Sequence, residues 1–221
     1  LTPRSELGGW HLDVHHRYDP HTNRLHEGSG RTIGSKPIDK LIFDILEPWN
    51  VGAFFFSPDG ALYTTQFSEG TVLRHHPGQA PEVIAGAGQD GLVFGEPAID
   101  QEFFFLRGLA LAPSGDIYLG SWGFLYRIDT QGIVHEFAGG GAVTDTSEPV
   151  PATETDFGWI FRILVAPDGT VYFVDPDFHV VRAVSPDGMM TTVAGTGVGG
   201  YNGDGIPAAA AQLNEPTDIA L

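Results

Sequence analysis

Short apolar runs bounded by turn residues recur along the whole chain. The runs are rich in Phe, Val, Ile and Tyr, and glycine, proline or aspartate separates one from the next. Apolar and polar positions alternate in several of them, which is typical of strands with one face in a core and the other in water. The pattern therefore predicts an all-β fold with many short strands, in which helix is a minor state.

One segment of this pattern occurs three times. An apolar strand, a Pro-Asp-Gly or Pro-Ser-Gly turn and a second strand ending in tyrosine occupy residues 56–63, 111–118 and 165–172. The turn glycines Gly60, Gly115 and Gly169 are 55 and 54 residues apart. An Ala-Gly pair (85–86, 138–139, 194–195) and a Pro-Ala pair (97–98, 151–152, 207–208) keep nearly the same spacing. Three markers shared by three copies indicate an internal repeat.

Each copy divides into four short strands. In the second copy we expect strands at about 109–113, 116–122, 124–129 and 133–138, because Pro-Ser-Gly, a glycine at 123 and Thr-Gln-Gly separate them. The first strand of each copy is almost entirely apolar, which predicts an innermost strand packed on both faces, with outer strands partly in water. Four strands in about 54 residues favour a radial β-propeller blade over a solenoid or an array of hairpins.

The third copy, from Ile163 to the Val-Ala-Gly at 193–195, resembles the NHL repeat, with its apolar strand, Pro-Asp-Gly turn and closing Val-Ala-Gly. The continuation through residues 203–208 and 211–216 is similar to the insert between blades of NHL propellers in large bacterial surface proteins. Residues 7–20 resemble the segment before the propeller in teneurin-like and RHS (YD-repeat) proteins. The resemblance implies secretion or surface display within a larger protein, with adhesion or toxin delivery as the usual contexts.

The repeat defines the expected domain organisation. We predict an N-terminal β segment over residues 1–36, formed as a hairpin, and a partial propeller over 37–221. Its blades are expected at roughly 51–86, 105–139 and 160–195, with a fourth blade beginning at 214–221. Since closed propellers have about four to eight blades, we expect a fragment of a larger protein or a piece completed by further blades or a second copy.

Charge excludes two classes of partner. The formal net charge is −17, from 28 acidic and 11 basic residues, so the surface is expected to repel nucleic acid and anionic lipid. Cysteine is absent, which rules out a disulfide framework and thiol chemistry. No apolar run approaches the about 18 residues of a membrane span, so this part of the protein is expected to be soluble.

A dense group of histidines near the N terminus offers potential metal ligands: His11, His15, His16, His21 and His26. Strand alternation places two of these histidines and Asp13 on one face, a donor set that suits zinc or another transition metal. An exposed strand face explains them equally well. Asp90, Asp100, Asn202 and Asp204 lie in or near Gly-rich loops and offer oxygen ligands for calcium, but Asp-Gly turns account for them better. We predict no metal and no cofactor.

No catalytic motif is present. The chain lacks a nucleophile elbow, a phosphate-binding loop and a zinc helix, and the carboxylates Glu154 and Asp156 are ordinary in so acidic a chain. Trp49, Trp122 and Trp159 could form an aromatic platform for a sugar or peptide, although blade packing is the commoner use of such residues.

The favoured function is a non-catalytic binding or scaffold module of an extracellular or cell-surface protein, with a protein or glycan ligand on a propeller face. One alternative is a propeller hydrolase or lyase whose active site lies in other blades, and another is a structural subunit of a surface assembly.

Overall fold

The computed structural model describes residues 50–76 and 79–220, together with the backbone of two short strands nearer the N terminus. These are β1 (Arg17–Asp19) and β2 (Arg24–His26), which pair antiparallel with Tyr18 opposite Leu25. The predicted N-terminal hairpin is therefore present.

Three antiparallel sheets form the rest of the described structure, and each uses four consecutive strands in sequence order. This confirms the predicted all-β propeller-type fold. The first blade contains β3 (Val51–Phe56), β4 (Leu62–Gln66), β5 (Thr71–His75) and β6 (Glu82–Ala85). The second contains β7 (Gly108–Leu111), β8 (Ile117–Gly120), β9 (Phe124–Ile128) and β10 (Val134–Gly139). The third contains β12 (Ile163–Val165), β13 (Val171–Asp175), β14 (Val180–Val184) and β15 (Met189–Ala194), with β11 (Val150–Pro151) as a fifth strand on its outer edge.

The first strands of neighbouring blades lie side by side, since β7 contacts both β3 and β12. Two buried apolar clusters fill the seams between blades. The first joins residues such as Tyr63 and Val72 to Leu119 of the second blade. The second joins residues such as Leu125 to Phe173 of the third blade. Because each seam buries the facing sides of two neighbouring blades, the hydrophobic core lies across the seams rather than within one sheet.

The expectation of a fully packed innermost strand holds only in the central blade. In β7, Gly108, Leu109 and Ala110 are buried, whereas Phe54 of β3 is 50% exposed and only the first residue of β12 is buried. The reason is that β7 has a described blade on both sides, while β3 and β12 each have one on a single side. The second strand β4 is the most deeply buried of the first blade, and in the third blade β13 and β14 share the same burial pattern.

The inserts between blades link each blade to the next. Every insert contains a short 3-10 helix preceded by proline: Ala98–Asp100, Ala152–Glu154 and Ala208–Ala210. In the first two, the backbone N–H of Ala98 donates to the Gly132 carbonyl (2.8 Å) and that of Ala152 to the Gly188 carbonyl (2.9 Å). Both acceptors belong to the turn before the outer strand of the following blade. The inserts therefore act as hydrogen-bonded straps across the outer edge.

Residues 214–220 occupy the position expected for the first strand of a fourth blade, but they form no strand. A strand needs a hydrogen-bonded neighbour, and the described residues contain no second strand of that blade. An ion pair between Arg162 Nε and Asp218 Oδ1 (3.2 Å) places this segment beside the start of the third blade. No helix among the described residues is long and apolar enough to span a bilayer.

Two glycines allow the chain entering the second blade to lie directly on the backbone of the first. A Cβ atom on Gly70 would be 1.7 Å from the Phe103 carbonyl oxygen, and one on Gly52 would be 1.9 Å from that of Leu106. Such distances exclude any side chain. Gly70 also has a φ of 66°, which disfavours L-residues.

We expect Gly70→Ala to destabilise the chain by at least about 2 kcal/mol more than Gly91→Ala, because only the first substitution adds a backbone clash to the cost of positive φ. Gly91 is the matched control, since its φ is 86° and a Cβ there meets nothing within 4 Å. Urea unfolding of the two variants measures the difference. Equal losses of stability would contradict the close approach.

Candidate binding face

Strand register places several loops at one end of the blades. Gly108 at the start of β7 pairs with Gly120 at the end of β8, and Phe124 at the start of β9 pairs with Gly139 at the end of β10. The segments that enter each blade therefore lie at the same end as the loops between second and third strands. We call this end the connector face, formed by residues 67–70, 102–107, 121–123, 155–162, 176–179 and 214–218. The Pro-Asp-Gly turns lie at the opposite end.

Aromatic side chains from all three blades meet on the connector face. The ring centroids of Phe67 and Phe105 are 5.3 Å apart, and Trp159 lies 6.2 Å from Phe67 and 6.1 Å from Phe105. Trp122 stacks on Trp159 with centroids 6.3 Å apart and an interplanar angle of 25°. Phe104 adjoins Phe105 at 6.5 Å. These five residues form what we call the aromatic platform.

The platform is open to solvent. Trp122 is 64% exposed, Phe104 56% and Phe105 49%. Large apolar side chains that adjoin one another at the surface are characteristic of interaction sites, whereas isolated ones are ordinary. Tryptophan and phenylalanine also supply much contact area at a small cost in side-chain entropy.

The guanidinium group of Arg107 packs against aromatic rings of the platform. Its guanidinium carbon lies 4.7 Å from the ring centroid of Phe67, 4.9 Å from that of Trp159 and 5.0 Å from that of Phe161. Its Nε atom is buried without a hydrogen-bond partner. The cation is therefore stabilised mainly by the faces of aromatic rings, and it ties rings of the first and third blades to the second.

Two aspartates fix the connector that carries Trp159. The N–H of Trp159 donates to Asp177 Oδ2 (2.9 Å), and the N–H of Gly158 donates to Asp175 Oδ1 (3.3 Å). A Cβ on Gly158 would be 2.0 Å from Asp177 Oδ2, so the connector and the loop approach closely only because residue 158 is glycine. Both contacts hold Trp159 in a defined position beside Trp122.

Asp175 belongs to a buried ion pair below this connector. Its Oδ2 atom lies 3.1 Å from Arg182 Nε, without the alignment of a hydrogen bond, and both side chains are almost fully buried. Arg182 Nη1 donates to Thr146 Oγ1 (3.2 Å) in the preceding insert. Burial raises the pKa of Asp175 to about 6, although the charge of Arg182 acts in the opposite direction. Burial also lowers the pKa of Arg182.

A cleft of about 350 Å³ opens beside Trp159, lined by Trp159, Phe161, Pro176, Asp177, His179, Glu215 and Thr217. His179 Nδ1 accepts a hydrogen bond from the backbone N–H of Glu215 (3.1 Å). The cleft therefore joins an aromatic wall to the carboxylates of Asp177 and Glu215.

The backbone is strained at this face. Phe105, His179 and Glu215 are the non-glycine residues with positive φ in the described part of the chain, at 54°, 56° and 47°, and all three lie on the connector face. His179 occupies the position that Gly70 and Gly123 occupy before the third strands of the other blades. Non-glycine residues in this conformation cost free energy and are concentrated at functional sites.

The structure brings together Trp122 and Trp159, two of the three tryptophans for which a platform is the alternative to blade packing, while Trp49 lies outside the described residues. Sequence reasoning missed Phe67, Phe105 and Arg107. The signal that could have identified this end is the replacement of a turn glycine by His179 in the third copy.

The potential metal ligands stay apart in the described structure. Asp90, Asp100 and Asp204 are exposed, and so are Glu154 and Asp156, the carboxylates considered for acid–base catalysis. The Asn202 side chain binds backbone within its own insert, donating to the Ala210 carbonyl (2.9 Å) and accepting from the Gln212 N–H (2.8 Å). No group of three metal-ligating side chains occurs within the described residues. His11, Asp13, His15, His16 and His21, and the side chain of His26, lie outside them.

The chain matches no family model. It is 26% identical over 231 aligned positions to Teneurin-m of Drosophila melanogaster, an alignment that covers 98% of this chain and 7% of that protein. The chain therefore spans a small fraction of the length of the curated relative it matches.

Two solved structures from Bacteroides thetaiotaomicron share the fold. One is a structural genomics protein of unknown function, with a TM-score of 0.55 and 21% identity over 76% of this chain and 41% of that one. The other is an auxiliary nutrient binding protein, with a TM-score of 0.52 and 22% identity over 72% of this chain and 39% of that one. The comparisons establish a β-propeller fold and a sequence similar to part of a teneurin.

The raised pKa of Asp175 predicts a pH-dependent stability difference between wild type and Asp175→Asn. In the folded protein the group ionises near pH 6, whereas in the unfolded chain it ionises near ~4. The folded state thus binds more protons between these values, so wild type should lose stability relative to the variant as pH rises from about 4 to about 6, and stay level above that.

Denaturant unfolding of both proteins across this pH range measures the difference. Asp204→Asn, at an exposed aspartate, serves as the control and should follow wild type. A constant difference between wild type and Asp175→Asn would contradict the assigned pKa.

Proposed function

We propose that this chain is a non-catalytic binding module of a larger extracellular protein similar to teneurins and RHS (YD-repeat) proteins, and that its connector face binds a protein or glycan. The observation that carries the proposal is the exposed aromatic platform, in which Trp122 stacks on Trp159 and Phe104 and Phe105 stand in solvent. The extracellular setting rests on the resemblance to the teneurin-like family and on the match to Teneurin-m.

The support of the platform fits a binding role. Three features hold the rings in place before any ligand binds. They are the close contact at Gly158, the two hydrogen bonds to aspartates and the packing of Arg107 against the rings. Rings that are already positioned lose little freedom on binding, and this preorganisation increases affinity. Aromatic residues fixed in this way are the usual anchors of protein interfaces.

The chemistry of the same face favours binding over catalysis. Asp177 and His179 are the titratable side chains of the loop beside Trp159, and both are engaged with the backbone of neighbouring connectors. The hydroxyl group in the cleft lining is that of Thr217, and among the described residues it makes no hydrogen bond to either side chain. The groups present are suited to contact and orientation of a ligand.

We expect Trp122→Ala and Phe105→Ala to weaken ligand binding at least about tenfold each, as loss of an interface anchor does. The measurement is binding of the purified chain to arrays of glycans and of extracellular protein domains, followed by titration of each ligand found. Phe54→Ala is the matched control, because Phe54 is exposed to the same extent as Phe105, 50% against 49%, but lies on the flank of the first blade.

Equal loss in the Phe54 control, or binding that is indifferent to Trp122, would refute the assignment of the connector face. Turnover of an ester or lactone substrate by wild type, abolished by substitution of His179, would favour the enzyme alternative instead.

A further inference from the structure

The segments of the connector face carry an excess of negative charge. Their carboxylates number six against two guanidinium groups: Glu69, Glu102, Asp156, Asp177, Glu215 and Asp218 against Arg107 and Arg162. Both guanidinium groups have partners, since Arg107 is enclosed by aromatic rings and Arg162 pairs with Asp218. The surface around the platform is therefore effectively anionic, in keeping with the net charge of −17.

The cleft beside Trp159 combines this charge with an aromatic wall. The aromatic residues Trp159 and Phe161 and the acidic residues Asp177 and Glu215 all line this space. Asp177 accepts a hydrogen bond from the Trp159 backbone, whereas the Glu215 carboxylate has no partner within the described residues. An aromatic surface next to carboxylates is the environment that a Lys or Arg side chain prefers, with its stem on the rings and its charge at the acids.

The volume of the cleft is a further guide to the ligand that it binds. At about 350 Å³ the cleft is at the lower end of the range of about 300–1,000 Å³ for ligand sites. A volume of this order has room for one extended side chain. The aromatic platform continues from Trp159 to Trp122 and Phe105, which offers apolar contact for the residues that flank the inserted side chain.

We propose that the connector face binds a basic segment of a partner protein, with one Arg or Lys side chain seated in the cleft between Trp159 and the carboxylates of Asp177 and Glu215. This inference rests on the proposed binding function and names the class of its ligand. Long-range attraction between the acidic chain and a basic segment speeds their encounter, and the aromatic contacts then supply affinity.

The backbone at Glu215 has a role in this arrangement. Its φ is 47°, its N–H donates to His179 Nδ1, and the residue lines the cleft. In the second and third blades the same position, counted from the Pro-Ala of the insert, is occupied by Phe105 and Trp159. At the third occurrence of this position an acid thus stands where the other two have an aromatic residue. A site for a cation needs such a negative charge.

The test uses two peptides, acetyl-Gly-Ser-Arg-Ser-Gly-amide and the same peptide with citrulline in place of arginine. Citrulline has nearly the same shape but no charge. Binding is followed by NMR shifts of the tryptophan indole N–H groups at low ionic strength, where surface charge pairs are least screened. We expect the arginine peptide to bind and to shift the Trp159 signal, and the citrulline peptide to bind at least about threefold more weakly.

Three variants test where on the surface the charge of the peptide is bound. Glu215→Gln should weaken the arginine peptide about three- to fivefold, as loss of one partly exposed ion pair does. Glu148→Gln, which removes the same charge from the exposed insert between the second and third blades, should leave affinity unchanged. Thr217→Arg places a cation in the cleft from the chain itself and should abolish binding.

Equal weakening by Glu215→Gln and Glu148→Gln would mean non-specific attraction to an acidic protein and would overturn the inference. Equal binding of the arginine and citrulline peptides would also overturn it. In that case, array ligands that still depend on Trp122 and Phe105 would show that the proposed binding function stands while the basic ligand class is wrong.

Discussion

The close approach of the connector that enters the second blade to the backbone of the first blade is the constraint on which the rest of the structure depends. Gly70 and Gly52 admit the carbonyls of Phe103 and Leu106 at distances that no side chain would tolerate. Since the connector then has little freedom of position, the residues that follow it emerge at one place on one end of the blades. The seams below are filled by continuous apolar clusters, which keep the blades in register.

The connector face follows from this geometry. Antiparallel pairing brings connectors and second loops to the same end, so Phe67, Phe105 and Trp159 meet although they are 38 to 92 residues apart in the chain. Arg107 lies among rings from two other blades. Its Nε atom has no hydrogen-bond partner, and its guanidinium group contacts the faces of these rings instead. A cation in this position makes the aromatic surface rigid, which connects the packing of the fold to the proposed binding function.

The third blade differs from the other two in ways that concentrate chemistry on one side of the face. It contains the buried Asp175 and Arg182 pair, its second loop contains His179 where the others have glycine, and the cleft opens against it. Burial of an ion pair costs free energy, and Arg182 recovers part of that cost through Thr146 of the preceding insert. The features that the blades share form the scaffold, whereas the features found in the third blade alone form the candidate site.

The sequence was sufficient to predict the all-β propeller fold, the repeat and the strand pattern of the blades, because turn glycines and alternating apolar residues are local signals that recur in register. It also identified Trp122 and Trp159 as candidate residues, but neither their stacking nor the residues that surround them. The meeting of Phe67, Phe105 and Arg107 depends on contacts between blades, and no local pattern encodes such distances. Likewise, the partial exposure of β3 and the cleft at Glu215 depend on which surfaces have a neighbouring blade in three dimensions. Periodicity along the chain carries no information about such neighbours.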